Sequence, residues 1–154
     1  MDWNRLKHSI GLCLCLSGVK RAQYLKKHKV LAGIGDNCMV MFRKVPLYPE
    51  LITLGDNVWI ASNVSFITHD VIHRMLNNCL GSDLKENRAP ITIGNHVFIG
   101  ANSSILPGVN IGDHTIVAAG SVISKDIQEG VYAGVPAKFI CSFDEFVRKR
   151  SELE

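Results

Sequence analysis

A chain of 154 residues that is 47% hydrophobic and 20% charged, with 13 glycines, can bury a core in one domain and is neither a disordered nor a collagen-like chain. Its formal charge of +3 is too small to announce a nucleic-acid binder, and Lys26-Lys27-His28-Lys29 is its one short basic run. Five cysteines, at 13, 15, 38, 79 and 141, are odd in number and lack C-x-x-C spacing, which excludes a disulfide framework and a zinc cluster and predicts reduced, mostly buried thiols in a cytoplasmic setting.

From Asp2 to about Lys29, Trp3, Leu6, Ile10 and Leu14 recur at helical spacing, and Ser17-Gly18 breaks the pattern, so two short helices are predicted. The apolar run Ile10 to Leu16 is shorter than the about 20 residues a bilayer span needs, so no membrane span is predicted.

The next signal is a repeat of period six. Ile93, Ile99, Ile105, Ile111, Val117 and Ile123 fall on every sixth position, and Val97, Ser103, Val109, Thr115 and Ser121 follow four places on. Leu54, Ile60 and Phe66 carry the same frame earlier, with an outlying start at Ile34 and Val40. In an α-helix a six-residue step turns by about 600°, which spreads the apolar positions over every face. Short strands joined by turns such as Gly-Asp-Asn and Gly-Asn-His keep them on one side, and three such sides make one coil of a β-solenoid.

Two interruptions punctuate the repeat. Around Lys44-Val45-Pro46-Leu47-Tyr48-Pro49 the frame slips, and two prolines argue against a paired strand. From about His69 to Pro90 the repeat is lost in a polar stretch, predicted to be a long loop extruded from one corner, and long loops in compact domains tend to be functional. At the end, Ser142-Phe143-Asp144-Glu145 is a capping box opening a helix. The predicted organisation is therefore an N-terminal helical segment (1–30), a solenoid (31–140) with its loop, and a C-terminal helix (141–154).

Three stretches, Ile52 to Asp70, Ile91 to Gly100, and Gly120 to Asp126 with Ala133-Gly-Val-Pro-Ala-Lys-Phe-Ile140, resemble the hexapeptide-repeat acetyltransferases, especially the sugar O-acetyltransferases acting on maltose, galactosides and surface polysaccharides. The resemblance covers somewhat over half the chain. It implies an all-β solenoid wound as a left-handed parallel β-helix, a homotrimer with active sites between neighbouring subunits, acetyl-CoA as co-substrate, and no metal.

Residue by residue, His69 falls on the family's catalytic histidine, whose neutral imidazole would take the proton of an acceptor hydroxyl near pH 7. Ala101 falls on the coil whose main-chain amide stabilises the oxyanion. Ala119 and Gly120 match backbone contacts to CoA, and Ser124, Lys125 and Lys138 fall at its phosphate end. Lys138 stands where many relatives carry Arg, a point charge replacing a bidentate fork. Phe98 replaces a Trp that lies beside the pantetheine end in relatives. Glu50 and Trp59 lie near where relatives bind the sugar, and Asp70 and His73 flank the base as candidate acceptor contacts. Met41 and Pro49 occupy places where maltose and galactoside enzymes carry acidic and amide residues, a departure that bears on those two substrates.

The function predicted is acetyl transfer to a hydroxyl of a saccharide acceptor. Its rivals are N-acetylation of an amino sugar or amine, a γ-type carbonic anhydrase using His69, His73 and His96, and a structural solenoid without activity. His69 and His73 lack the five-residue separation of the zinc pattern, and no flat threonine array of an ice-binding face exists.

Overall fold

The computed structural model describes residues 3–152, so Met1, Asp2 and the last two positions of the predicted terminal segments lie outside the described residues. Its strands form three sheets on three faces. Face A holds β1 (Gly33–Ile34), β3 (Ile52–Leu54), β6 (Ile91–Ile93) and β9 (Asn110–Ile111). Face B holds β2 (Met39–Val40), β4 (Trp59–Ile60), β7 (Phe98–Ile99), β10 (Thr115–Val117), β12 (Gly130–Gly134) and β13 (Ala137–Cys141), and face C holds β5 (Ser65–Phe66), β8 (Ser104–Ile105) and β11 (Val122–Ile123). From β3 to β11 the chain visits A, B and C in turn and pairs in parallel with the coil before it, which is the stacking that a six-residue period dictates.

The register aligns like with like. Ile60 pairs with Ile99 and Ile99 with Val117 on face B, Ile93 with Ile111 on face A, and Phe66 with Ile105 and Ile105 with Ile123 on face C. All of these side chains point into a buried interior, as do the second-set residues Val58, Val97, Val64 and Val109. Buried hydroxyls find main-chain acceptors: Ser103 and Ser121 donate to the Ala118 carbonyl at 3.1 and 2.7 Å, Thr115 donates to Gly112 at 2.8 Å, and Thr68 to Leu47 at 2.9 Å.

The Gly-Asp-Asn signatures belong to the corner between faces A and B. There Asp56 accepts from the Asp36 amide at 2.7 Å, Asn95 from the Asp56 amide at 2.8 Å, and Asp113 from the Asn95 amide at 2.7 Å, a ladder along the stack. The following residues, Asn37, Asn57, His96 and His114, take left-handed backbone angles with φ from 52 to 57°, a region that Asn and His tolerate better than most residues. A Cβ on Gly94 would lie 2.2 Å from the Asp113 carboxylate, so the ladder itself demands glycine at that position.

The N-terminal helices are α1 (Trp3–Leu14) and α2 (Gly18–Lys27), with Ser17 capping the second through the Lys20 amide. Arg21 of α2 is fully buried over the first coil, where it donates to the carbonyls of Val40 (2.9 Å) and Cys15 (3.0 Å). The helix thereby covers the first coil and satisfies the Val40 carbonyl at its open end. At the other end α4 (Phe143–Ser151) begins at the predicted capping box, Ser142 accepting from the Glu145 amide, and it has acidic residues in its first turn and basic ones in its last.

Three features differ from the sequence reading. The polar stretch between Phe66 and Ile91 contains a helix, α3 (Ile72–Leu80), ended by Gly81 in the left-handed region. Residues 130–141 form an antiparallel hairpin, β12 with β13, in place of a further regular coil. Only Cys38 and Cys141 are buried; Cys13 and Cys79 are exposed and Cys15 is half-buried, although all five are free thiols. Short thiol side chains at helix ends and turns are not drawn into a core that the aliphatic columns already fill.

Candidate active site

His69 stands where the chain leaves face C for the excursion, and an antiparallel bridge to Arg88 on the returning limb fixes its backbone. The neighbouring main-chain bonds, Ala89 to Thr68 at 3.0 Å and Asp70 to Asn87 at 3.1 Å, zip the two limbs together. The imidazole is half-buried and meets the Tyr48 ring edge-on, centroids 5.0 Å apart at 83°. Its Nδ1 is buried without a hydrogen-bond partner among the described residues, and the same holds for Nδ1 of His73, the second residue of α3. A buried polar atom without a protein partner marks a candidate functional position.

Tyr48 is itself held in place. Its backbone is left-handed (φ 49°), its hydroxyl lies 3.3 Å from Glu86, and the Arg88 guanidinium covers its ring at 4.1 Å. Arg88 closes the group by donating to Glu86 through Nε at 2.7 Å and through Nη2. Glu86 is held below the ordinary carboxylate range, first by the Arg88 hydrogen bond and charge and then by Tyr48 and His69, while Arg88 is pushed up by Glu86. Glu86 and Arg88 were not singled out from sequence. Two charged residues two apart in an extended segment share a side, and that alternation just before the repeat resumes is the signal that would have found them.

Asp70 does not touch His69. One carboxylate oxygen accepts from the Ile72 amide at 3.0 Å and the other from Asn87 Nδ2 at 3.2 Å, so both serve the local fold of the excursion.

The remaining candidates fall into separate groups. Ser124, Lys125 and Lys138 line one cavity of about 230 Å³ with Ile123, Pro136 and Ala137, where the β12–β13 hairpin folds beside the corner after face C. That corner is also His69's, two coils away, or about 10 Å along the stack at strand spacing. Neither lysine enters an ion pair among the described residues. The cavity therefore offers two uncommitted cations and a hydroxyl, a set suited to phosphate groups.

Ala101, Ala119 and Gly120 sit at the other corner, between faces B and C. Gly120 donates to the Ala101 carbonyl at 2.8 Å, while the Ala101 amide donates to no backbone acceptor among the described residues. A single prism does not bring this amide to His69, because the two lie on different edges. Trp59 and Phe98 are paired neighbours on the outer side of face B, 44% and 41% exposed, with the Trp59 indole bonded to Asn57 at 3.0 Å. Glu50 lines a different cavity of about 240 Å³ under α1, with Arg5, His8 and His28. Trp59 and Glu50 are thus not assembled around His69 within one chain. His96 stacks on His114 at the corner between faces A and B, centroids 5.0 Å apart, and does not join His69 and His73.

Residues 90–125 match the bacterial transferase hexapeptide (six repeats) family. The chain is 42% identical over 132 residues to Protein CapG of Staphylococcus aureus, covering 80% of this chain and 73% of that protein. It is also 42% identical over 110 residues to a galactoside O-acetyltransferase of Escherichia coli, covering 70% of this chain and 52% of the relative, so it spans about half of that protein's length. Among solved structures, a galactoside acetyltransferase in complex with coenzyme A is similar with a TM-score of 0.69 at 30% identity, over 96% of this chain and 88% of the other.

Proposed function

Because the chain belongs to the hexapeptide-repeat acetyltransferases, we propose that it is an acetyl-CoA-dependent O-acetyltransferase acting on a saccharide acceptor in the cytoplasm, a left-handed β-helix working as a homotrimer with His69 as general base. The observation that carries this reading is the His69 imidazole, wedged against Tyr48 with a buried, unpartnered nitrogen, on the corner that also bears the Lys125 and Lys138 cavity. The separation of His69 from Ala101 onto two edges supports an assembly in which one subunit's edge meets the next subunit's.

Acetyl-CoA, when bound, supplies a thioester carbonyl open to attack. His69 takes the proton of the acceptor hydroxyl as its oxygen forms the new bond to that carbon, and later returns the proton to the departing sulfur. The Ala101 amide of a neighbouring subunit donates to the carbonyl oxygen while negative charge gathers there. Tyr48 holds the ring of the base, and the Glu86–Arg88 pair holds Tyr48. Lys125 and Lys138 neutralise phosphate, so binding energy far from the reacting carbon orients it.

The test is His69→Ala, assayed by free thiol released from acetyl-CoA against a set of sugars and nucleotide sugars. Turnover should fall by about two to four orders of magnitude with acetyl-CoA binding retained. Unchanged turnover removes His69 from the mechanism, and a product stable to hydroxylamine makes the bond an amide and the reaction N-acetylation.

A further inference from the structure

Helix α1 is mounted inside out. Toward the body it presents polar groups: Arg5 donates to the Val45 carbonyl at 2.8 Å, Ser9 accepts from the Val45 amide at 3.0 Å, and His8 meets the Tyr24 hydroxyl at 3.1 Å. Leu12 is its one buried residue. Trp3, Leu6, Ile10 and Leu14 lie on the opposite arc and are 75, 37, 54 and 76% exposed, and Leu16 extends the stripe at 87%. An ordinary surface helix turns such an arc inward, and contiguous exposed apolar surface marks a contact site. A cavity of about 630 Å³ opens between this helix and Arg43-Lys44.

Charge identifies the occupant. From Trp3 to Gly35 the sequence contains no Asp or Glu and seven Lys or Arg, although the whole chain is only at +3. Lys7 on α1 and Arg43 and Lys44 at the cavity are exposed beside the stripe, and Lys20 on α2 is exposed as well. A second copy of the same face would set these cations against each other, and an uncharged apolar partner would leave them unmatched. An anionic bilayer surface satisfies both halves, accepting the stripe among acyl chains and the cations at headgroup level.

We propose that α1 is an interfacial anchor that lays this chain on anionic lipid membranes, with Trp3, Ile10 and Leu14 inserted. Among the described residues no helix is long and apolar enough to cross a membrane, and the anchoring lies flat and is reversible. It stands apart from the acetyl-transfer reading, since none of these residues belongs to the proposed catalytic groups.

The experiment is co-sedimentation of the full chain with vesicles of phosphatidylcholine and of phosphatidylcholine mixed equally with phosphatidylglycerol. Binding to the mixed vesicles should exceed binding to the neutral ones by about tenfold or more and collapse at high salt. Ile10→Glu with Leu14→Glu should lower it by at least about tenfold with the circular dichroism spectrum unchanged. Lys7→Glu with Lys44→Glu, which disturbs no buried side chain, should lower it as strongly. Equal binding to both vesicles, no binding to either, or variants that bind like the parent overturn the proposal. A parent that ignores vesicles while Ile10→Glu with Leu14→Glu lowers its molar mass in light scattering overturns it too, and makes the stripe a contact between copies.

Discussion

Truncating Ile99 tests whether the six-residue period really builds the interior. Ile99 sits mid-stack on face B without solvent exposure, between Ile60 and Val117, which are equally buried. Ile99→Ala removes three carbon groups, about 2.4 kcal/mol of transfer free energy. The coils cannot close on the gap, because the Ile99 carbonyl accepts from Ala61 at 2.9 Å and Gly100 donates to Val117 at 2.8 Å. The surviving void adds about 1 kcal/mol, for a loss near 3.5 kcal/mol, against about 1 kcal/mol for Ile99→Val. Urea unfolding at one fixed protein concentration, followed by circular dichroism, measures both. Thr92→Ala, on the exposed side of β6, should stay within about 0.5 kcal/mol. A loss below about 1 kcal/mol for Ile99→Ala, or one as large for Thr92→Ala, refutes the columnar core.

Gly100→Ala would place a Cβ 2.4 Å from the Ala119 amide nitrogen, a backbone atom of the next coil, and the thermal midpoint should drop by more than about 5 °C. Lys125→Ala with Lys138→Ala should raise KM for acetyl-CoA about tenfold or more with kcat within about twofold, since phosphate contacts act before and after the reacting step alike. Asp113 and Asp126 are held below the ordinary carboxylate range by the Asn95 and Asn110 amides. Their stabilising contribution is therefore complete above that range and lost as pH falls through their lowered values, so Asp113→Asn with Asp126→Asn should flatten the acid limb of a midpoint-versus-pH curve. An acid limb as steep as the parent's would assign the acid sensitivity to other groups.

The columns were legible from sequence because Ile93, Ile99 and Ile105 repeat a local rule that each coil obeys alone. Helix α3 was missed for the opposite reason. Its apolar positions Ile72, Leu76 and Leu80 do keep helical spacing, but Asn77-Asn78 and Gly81-Ser82 carry stronger local turn signals, and none of its residues is buried. The terminal hairpin was hidden by Tyr132 continuing the column of Val117 through parallel pairing. The group of Tyr48, Glu86 and Arg88 around His69 joins residues up to 40 positions apart, so only the excursion's return, bridging Arg88 to His69, makes it visible. The division of His69 and Ala101 between two edges likewise needed the order of the faces.

The stack keeps its alignment across the excursion. Partner positions lie 18 residues apart between later coils and 39 apart across the helix-bearing insertion, yet Ile52, Thr53 and Leu54 meet Ile91, Thr92 and Ile93 without a slip. That corner behaves as a socket whose contents can be lengthened, shortened or exchanged while the prism continues undisturbed. Doubling a flexible loop costs only about 0.6 kcal/mol of closure entropy. Exchanging the inserted segment alone therefore leaves the packed interior as a constant chassis.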